Sequence, residues 1–234
     1  TYANQGDELV KIFESVKSAG MTTSLDLVMP DPDGPSGKAD WETILKRTLP
    51  SVDIFIPSAD ELLYMIDRDK FGEGDNLTGD EVSVISSRLL DMGVAIAGLK
   101  LGSRGLYIRT AGEDRLAAMG AGAPDDVASW ANQELWFPVF EIPKFVGATG
   151  AGDTTIAGFL AAYLRGMTPV ECGRMANAVG SCNVQAPDAL SGIKPWDETK
   201  AMLDAGWIHE PLQITGQGWR EDAATGIWCG PNNR

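Results

Sequence analysis

The sequence predicts an α/β fold, in which a doubly wound, mostly parallel sheet is flanked by helices. Segments with helical periodicity alternate with short apolar segments of the kind that form buried strands. Most of the helical segments are long enough to carry the chain from one parallel strand to the next. No apolar run approaches the ~20 residues that cross a bilayer. The 234 residues fit one domain, which we place at 1–206, followed by an irregular C-terminal tail at 207–234.

The first half of the chain alternates helix and strand. Leu9, Phe13 and Val16 share one face of a helix at 7–19. Gly20 can end this helix, because glycine readily adopts the left-handed conformation. Apolar runs bounded by proline, aspartate and glycine read as strands with turns between them. By this reasoning, further helices are expected at 39–49, 58–66 and 79–92, and strands at 22–29, 52–56 and 94–101.

The second half of the chain begins with a turn that contains two glycines, which is typical of a hairpin. Later, Ile156, Phe159 and Tyr163 share one face of a strongly predicted helix. The expected elements are strands at 106–109 and 136–140, a loop at 111–135, and helices at 151–165, 169–185 and 194–205. In sheets of this kind, ligands bind beyond the carboxyl ends of the strands.

The composition excludes several classes of function. A net charge of -14 repels phosphate backbones and anionic lipid, so we expect neither nucleic acid nor membrane as a partner. His209 is the only histidine, which excludes histidine-rich zinc sites and leaves little basis for a catalytic triad. Cys172, Cys182 and Cys229 form no Cys-x-x-Cys pair, and we expect a reducing, cytoplasmic setting with Cys172 and Cys182 in the core.

The stretch Gly147–Thr154 carries the most chemical information. Its small residues let the backbone approach a ligand, and free amides at the start of the following helix favour an anion. The spacing is that of a P-loop, with Asp153 where the lysine would stand. An aspartate cannot grip phosphate. It can accept the proton of an attacking hydroxyl, or it can simply cap the helix, and the residues alone leave both readings open.

Gly150-Ala151-Gly152-Asp153, followed by an apolar helix with Gly158-Phe159, resembles the C-terminal signature of the PfkB (ribokinase-like) carbohydrate kinases. The resemblance extends over roughly residues 7 to 193. It implies that Gly150, Ala151 and Gly152 form an anion hole, that Asp153 is the catalytic base, and that ATP and Mg²⁺ are the cofactors. Thr149 then lies in the nucleotide site. The family's usual Asp-Thr-Thr or Asp-Thr-Asn is replaced here by Gly147-Ala148-Thr149, which leaves a monovalent-cation site in doubt.

Four further positions gain a role from the resemblance. Glu61, in Ser58-x-x-Glu61, matches a glutamate that organises Mg²⁺, although the same pattern is a helix capping box. Gly102 and Gly105 match a turn that lies along the ATP phosphates, and Asn177 matches a position near adenine. Each also has an ordinary structural reading, as a hairpin turn or an exposed helix residue. Asp26, at the end of the first strand, is either a site residue or a turn residue.

Family members usually begin with about a hundred residues that have no counterpart here, including sugar-binding residues and a small lid. We therefore expect a ribokinase-like fold lacking that N-terminal part and the lid. The expected function is ATP-dependent phosphorylation of a hydroxyl of a sugar or sugar acid, with a homo-oligomer left open. One alternative is a nucleotide-binding module without catalysis. Another is a Rossmann dehydrogenase, whose glycine motif neither Gly120-Ala121-Gly122 nor Gly150-Ala151-Gly152 completes.

Overall fold

A computed structural model describes residues 2–233. Its α-helices are α1 (Asp7–Ser18), α2 (Trp41–Thr48), α3 (Ala59–Ile66), α4 (Gly79–Asp91), α5 (Glu113–Ala117), α6 (Val127–Trp130), α7 (Ala151–Tyr163), α8 (Pro169–Asn183) and α9 (Trp196–Asp204). Its strands are β1 (Ser24–Leu25), β2 (Ile54–Phe55), β3 (Ile96–Lys100), β4 (Leu106–Thr110), β5 (Glu134–Phe137), β6 (Arg220–Asp222) and β7 (Ile227–Cys229). Within this part of the chain, no helix is both long and apolar enough to cross a membrane.

The strands form one mixed sheet of seven strands in the order β1-β2-β3-β4-β5-β7-β6. The pairs β1–β2 and β2–β3 are parallel, while all pairs from β3–β4 onward are antiparallel. The predicted α/β fold is confirmed, but the sheet is mixed rather than mostly parallel. The reason lies in the connections, because the turn Gly102–Arg104 between β3 and β4 is too short for a parallel crossover.

Helices cover both faces of the sheet, as a doubly wound fold requires. Adjacent strand residues point to opposite faces: Phe55 packs with the apolar residues of α2, α3 and α4, and its neighbour Ile54 packs with those of α7 and α8. Trp136, the largest of the fully buried side chains, lies in the first of these two cores. Cys172 and Cys182 are buried as predicted, and burial raises the pKa of the Cys172 thiol to about 12.

The C-terminal segment differs from the expected irregular tail. Residues 220–229 form a hairpin of β6 and β7 that extends the sheet by pairing with β5. Trp219 is 9% exposed and packs among the residues of the first core. Beyond the hairpin, the backbone and side-chain amides of Asn232 each donate a hydrogen bond of 2.8 Å to the buried carboxylate of Glu134. The segment is therefore held against β5 and Glu134 rather than irregular throughout.

The segment 111–135, which the sequence predicts as a loop, contains the short helices α5 and α6. Helix α5 carries Arg115 to the amino end of β2, where the carboxylate of Asp53 is completely buried. Asp53 accepts hydrogen bonds from Lys17 Nζ, from the amide and hydroxyl of Thr23, and from Arg115. We call Lys17, Thr23, Asp53 and Arg115 the amino-end cluster, because it lies where the parallel strands begin.

Candidate active site

The parallel strands place three polar residues together at their carboxyl ends. Asp26 follows β1, Ser58 follows β2, and Lys100 is the last residue of β3. The amide of Lys100 donates to the carbonyl oxygen of Pro57 at 2.9 Å, and Lys100 pairs with Ser58 in a parallel bridge. This edge of the sheet is where ligands bind in open α/β folds. The start of α7 comes to the same edge.

The turn that starts α7 leaves backbone amides free. Gly150 has φ 75°, in the left-handed region, and a Cβ at this position would lie 2.5 Å from the Cβ of Ala189. Ala151 donates its amide to the carbonyl oxygen of Ala148, which closes the turn. The anion hole expected from the sequence included this amide, so the turn removes one donor. Within residues 2–233, the amides of Gly152 and Asp153 donate to no acceptor, and they face outward at the positive end of the helix dipole.

A lysine that the sequence did not single out lies beside these free amides. Lys100 Nζ is 3.0 Å and 3.1 Å from the two carboxylate oxygens of Asp26. A Cβ built on Gly152 would lie 3.3 Å from the same Nζ. The ammonium group therefore lies against the glycine of the helix start. We call Asp26, Lys100, Gly152 and Asp153 the carboxyl-end cluster.

Asp153 lies in the first turn of α7 and is exposed. Its carboxylate takes part in no hydrogen bond or ion pair with any residue from 2 to 233, so it does not cap the helix through its side chain. A free carboxylate next to two free amides can accept a proton from a group whose charge those amides stabilise. The following Thr154 and Thr155 hydroxyls both donate back to the carbonyl oxygen of Ala151 and do not enter the site.

Glu61 forms the capping box that the sequence offers as one of its two readings. Glu61 Oε2 accepts a hydrogen bond from the amide of Ser58 at 3.0 Å, and the hydroxyl of Ser58 accepts one from the amide of Glu61. Glu61 is half-buried. In the described residues no group of three or more Asp, Glu, His or Cys side chains is placed to hold a metal ion.

The turn between β3 and β4 requires its two glycines. Gly102 has φ 54° and Gly105 has φ 89°, both in the region that favours glycine. Arg104, within this turn, is only partly exposed. Its guanidinium lies 4.5 Å from the ring centroid of Trp136 and donates to the carbonyl oxygen of Leu77. These two contacts of Arg104 anchor the turn to the rest of the protein, whereas Gly102 stays exposed.

Asn177 and Thr149 lie in different surroundings. The side-chain amide of Asn177 donates to the carbonyl oxygens of Phe137 and Pro138 at 2.6 Å and 3.0 Å, and the residue is 4% exposed. It is therefore not an exposed helix residue. A Cβ on Gly105 would meet the same carbonyl of Phe137, so Asn177 and Gly105 meet at the end of β5. Thr149 is exposed and directly precedes the turn of Gly150.

Residues 4–196 match the sequence profile described as pfkB family carbohydrate kinase. The chain belongs to this family. It is 30% identical over 190 residues to an uncharacterized sugar kinase of Archaeoglobus fulgidus, which covers 81% of this chain and 58% of that protein. It is 33% identical over 172 residues to a nucleoside kinase of Methanothermobacter thermautotrophicus, covering 70% of this chain and 50% of that protein. The chain thus spans about half the length of the curated relatives it matches.

The fold of this chain is also found in solved kinase structures. The structure of Arabidopsis thaliana ribokinase complexed with ribose and ATP aligns with a TM-score of 0.59 at 22% identity, covering 85% of this chain and 52% of that one. The ribokinase-like fold expected from the sequence is therefore confirmed. Family membership favours the kinase reading over the dehydrogenase alternative. The roles of single residues remain predictions, and they enter the proposal that follows.

Proposed function

We propose that the protein transfers the γ-phosphoryl group of ATP to a hydroxyl of a sugar or sugar acid. The single observation that carries the proposal is the juxtaposition at the start of α7. There the free carboxylate of Asp153 lies beside the free amides of Gly152 and Asp153. Phosphoryl transfer to an alcohol needs a proton acceptor and donors for the moving charge, close together. The pfkB membership of the chain supports the same chemistry.

In the proposed reaction, Asp153 accepts the proton of the attacking hydroxyl. The hydroxyl oxygen forms a bond to the γ-phosphorus, the bond between that phosphorus and the bridging oxygen breaks, and ADP leaves with the electron pair. The amides of Gly152 and Asp153 donate to the phosphoryl oxygens during transfer. Gly150 places them by its left-handed turn, while Ala151 contributes through its position at the first residue of the helix.

The nucleotide is proposed to lie along the turn between β3 and β4. Gly102 offers an exposed backbone surface to phosphate. Gly105 and Asn177 both pack against the carbonyl group of Phe137 at the end of β5. Because the Asn177 side chain is buried and bonded to carbonyl oxygens, it acts on the nucleotide through the backbone it holds. Thr149, which is exposed and directly precedes the turn of Gly150, is proposed to contact the same nucleotide.

The residues at this edge fit Mg²⁺ as this ion is usually held beside ATP. Mg²⁺ keeps most of its waters and takes one or two carboxylates in addition to phosphate oxygens. Glu61 is half-buried and is fixed by its capping box. It would hold the ion, directly or through water, and the ion would neutralise charge on the phosphates.

Three further assignments belong to the proposal. Residues 1–206 are the catalytic domain, and residues 207–234 are a C-terminal segment whose strands β6 and β7 complete its sheet. Self-association is proposed through β1, which lies at one end of the strand order and leaves a sheet edge free in the described structure. A reducing compartment such as the cytoplasm is the proposed setting, supported by the free cysteines at 172, 182 and 229.

Two measurements on the 234-residue chain test whether it binds the proposed nucleotide and whether it turns over a sugar without the rest of the relatives' length. We expect calorimetry to show binding of Mg-ATP. A coupled assay of ADP release over hexoses, pentoses, nucleosides and keto-deoxy sugar acids then asks for turnover. Because the chain spans half the length of its relatives, we expect binding without sugar-dependent turnover from the chain alone. The absence of any Mg-ATP binding would contradict the proposed function.

A further inference from the structure

The C-terminal segment returns to the end of β5 before it forms the hairpin of β6 and β7. Residues 207–210, which we call the tail clamp, lie antiparallel to residues 138–141, with a bridge that pairs His209 with Phe140. Backbone hydrogen bonds of 2.9 Å and 2.8 Å join the two segments on either side of this bridge. The tail clamp lies outside residues 4–196, which match the family profile. The contact is therefore made by a part of the chain that the profile does not describe.

His209 is the centre of the tail clamp. Its ring stacks on Phe140 with the ring centroids 4.1 Å apart, and the ring of Trp207 stacks on Phe140 as well, at 4.8 Å. Phe140 itself is 1% exposed. His209 Nδ1 lies 2.8 Å from the carbonyl oxygen of Pro138. Because a carbonyl oxygen can only accept a hydrogen bond, Nδ1 carries the proton of the ring and donates it to Pro138.

The same carbonyl oxygen of Pro138 accepts a second hydrogen bond, from the side-chain amide of Asn177 at 3.0 Å. A carbonyl oxygen has two lone pairs, so α8 and the tail clamp together satisfy it. The carbonyl carbon of Pro138 also lies 3.0 Å from the place where a Cβ on Gly105 would stand. The peptide after β5 is therefore held between the β3–β4 turn, α8 and the tail clamp, and the proposed nucleotide site lies at this point.

The ring of His209 is held in its neutral form. Burial lowers the pKa of His209 below its ordinary value, the hydrogen bond to Pro138 opposes this shift in part, and the positive charge of Arg174 on α8 adds to it. Among residues 2–233, the Nε2 atom is buried and has no hydrogen-bond partner, so a second proton would find no acceptor there. The single donor at Nδ1 is therefore the part of the ring that acts on its surroundings.

We propose that the tail clamp positions the end of β5 for the nucleoside part of ATP, and that His209 does so by holding the Pro138 carbonyl together with Asn177. The inference rests on the proposed function and adds to it a positioning residue from the C-terminal segment. His209 itself touches no ligand. It fixes the peptide against which Asn177 and Gly105 pack. A site that is already ordered loses less free energy to ordering when its ligand binds.

A purely structural role of the tail clamp would have different consequences. If the clamp only stabilised the domain, loss of the His209 contacts would lower the melting temperature, and the folded molecules would bind ATP as before. Other contacts of the C-terminal segment would then be equivalent to it. Asn232 provides the comparison, because its side chain bonds to Glu134 at the opposite, amino end of the same strand β5.

The test is calorimetry of the 234-residue chain with Mg-ATP, together with melting temperatures. His209→Ala should weaken ATP binding by about fivefold or more, the size expected for a lost hydrogen bond. His209→Asn and His209→Gln form a matched pair. The side-chain nitrogen of asparagine lies about as far from the backbone as Nδ1 does and should restore most of the affinity, whereas that of glutamine reaches the position of Nε2 and should not. Asn232→Ala should lower the melting temperature and leave the ATP affinity unchanged.

The outcomes separate the role of His209 from the proposed function. An unmodified chain that binds no Mg-ATP overturns both. If the unmodified chain binds Mg-ATP, an unchanged affinity in His209→Ala overturns the inference alone. So does an equal loss of affinity in Asn232→Ala, which would assign the effect to folding stability. If His209→Ala does not fold, the matched pair decides, because a lower affinity in His209→Gln than in His209→Asn supports the inference and equal affinities overturn it.

Discussion

Two lysine–carboxylate pairs lie at opposite ends of the same parallel strands, and they are built differently. In the amino-end cluster, Asp53 is completely buried and accepts hydrogen bonds from Lys17, Thr23 and Arg115. In the carboxyl-end cluster, Asp26 is 29% exposed, and its partner Lys100 lies next to two amides without acceptors. A buried cluster whose hydrogen-bonding groups all have partners cannot bind a ligand. An accessible cluster with free hydrogen-bonding groups can bind one. Residue types alone therefore do not distinguish a structural ion pair from a binding site.

Asp53→Asn should show the structural role of the amino-end cluster. The substitution leaves the cations of Lys17 and Arg115 without their anion at a buried position. We expect a loss of about 3–5 kcal/mol in the free energy of unfolding. Chemical denaturation measures it. The matched variant Asp26→Asn should lose less than about 1 kcal/mol, because that pair is partly exposed. Equal losses in the two variants would remove the distinction between the clusters.

Asp153→Asn should lower the rate of turnover without lowering the folding stability, which is the opposite of what we expect for Asp53→Asn. Asparagine keeps the size and hydrogen bonding of the side chain but cannot accept the proton. In the turnover-competent protein, kcat should fall by ~10²-fold or more. The melting temperature and the ATP affinity of the 234-residue chain should change little, since the carboxylate has no partner within residues 2–233. Turnover near the unmodified rate would refute the assignment of the base.

The two glycines of the α7 turn should respond differently to alanine. Gly150→Ala places a side chain at φ 75° and against Ala189, so we expect a loss of about 1–3 kcal/mol in folding stability. Gly152→Ala meets only the flexible end of Lys100, and its folding cost should stay below about 1 kcal/mol. Its ATP affinity should fall, because the new methyl group lies between the lysine and the free amides. Intact ATP binding by Gly152→Ala would place the phosphates elsewhere.

Two glutamates in identical capping boxes provide the mildest comparison. Glu61 caps α3 at the proposed site, while Glu81 caps α4 and is paired with Lys70, which together with Thr78 lowers the pKa of Glu81 to about 2. Glutamine serves in a capping box as well as glutamate does. Glu61→Gln should therefore raise the Mg²⁺ concentration needed for half-maximal ATP binding, with little change in stability. Glu81→Gln should leave the Mg²⁺ dependence unaltered, and a shared response would leave Glu61 only its cap.

The parts of the site that the sequence predicts are local ones. The glycine turn before Asp153, the capping box of Glu61 and the hairpin at Gly102 each depend on residues within a few positions of one another. Lys100 was missed because its partner Asp26 lies 74 residues away, and pairing at that range is set by the sheet. The sequence does contain one signal for this lysine, because a charged residue at the carboxyl end of an apolar strand lies at the edge of the sheet where ligands bind.

The remaining differences also have physical causes. The hairpin at 102–105 already implies an antiparallel pair, yet the alternation of helix and strand favoured a mostly parallel sheet. Strand β6 is Arg220-Glu221-Asp222, and all three of these charged residues are exposed, so no apolar alternation marks it. Its pairing depends on β7, whose Trp228 and Cys229 pair with β5 residues nearly a hundred positions away in the chain. Short polar strands of this kind are determined by the tertiary fold.

The most direct measurement is a titration of the ¹⁵N-labelled 234-residue chain with Mg-ATP, followed in two-dimensional amide spectra. If the carboxyl-end cluster is the phosphate site, the amide signals of Gly152 and Asp153 should shift progressively with nucleotide. The signals of Thr23, Asp53 and Arg115 in the amino-end cluster should stay in place. Progressive shifts in the amino-end cluster with none at Gly152 and Asp153 would contradict the assignment of the site.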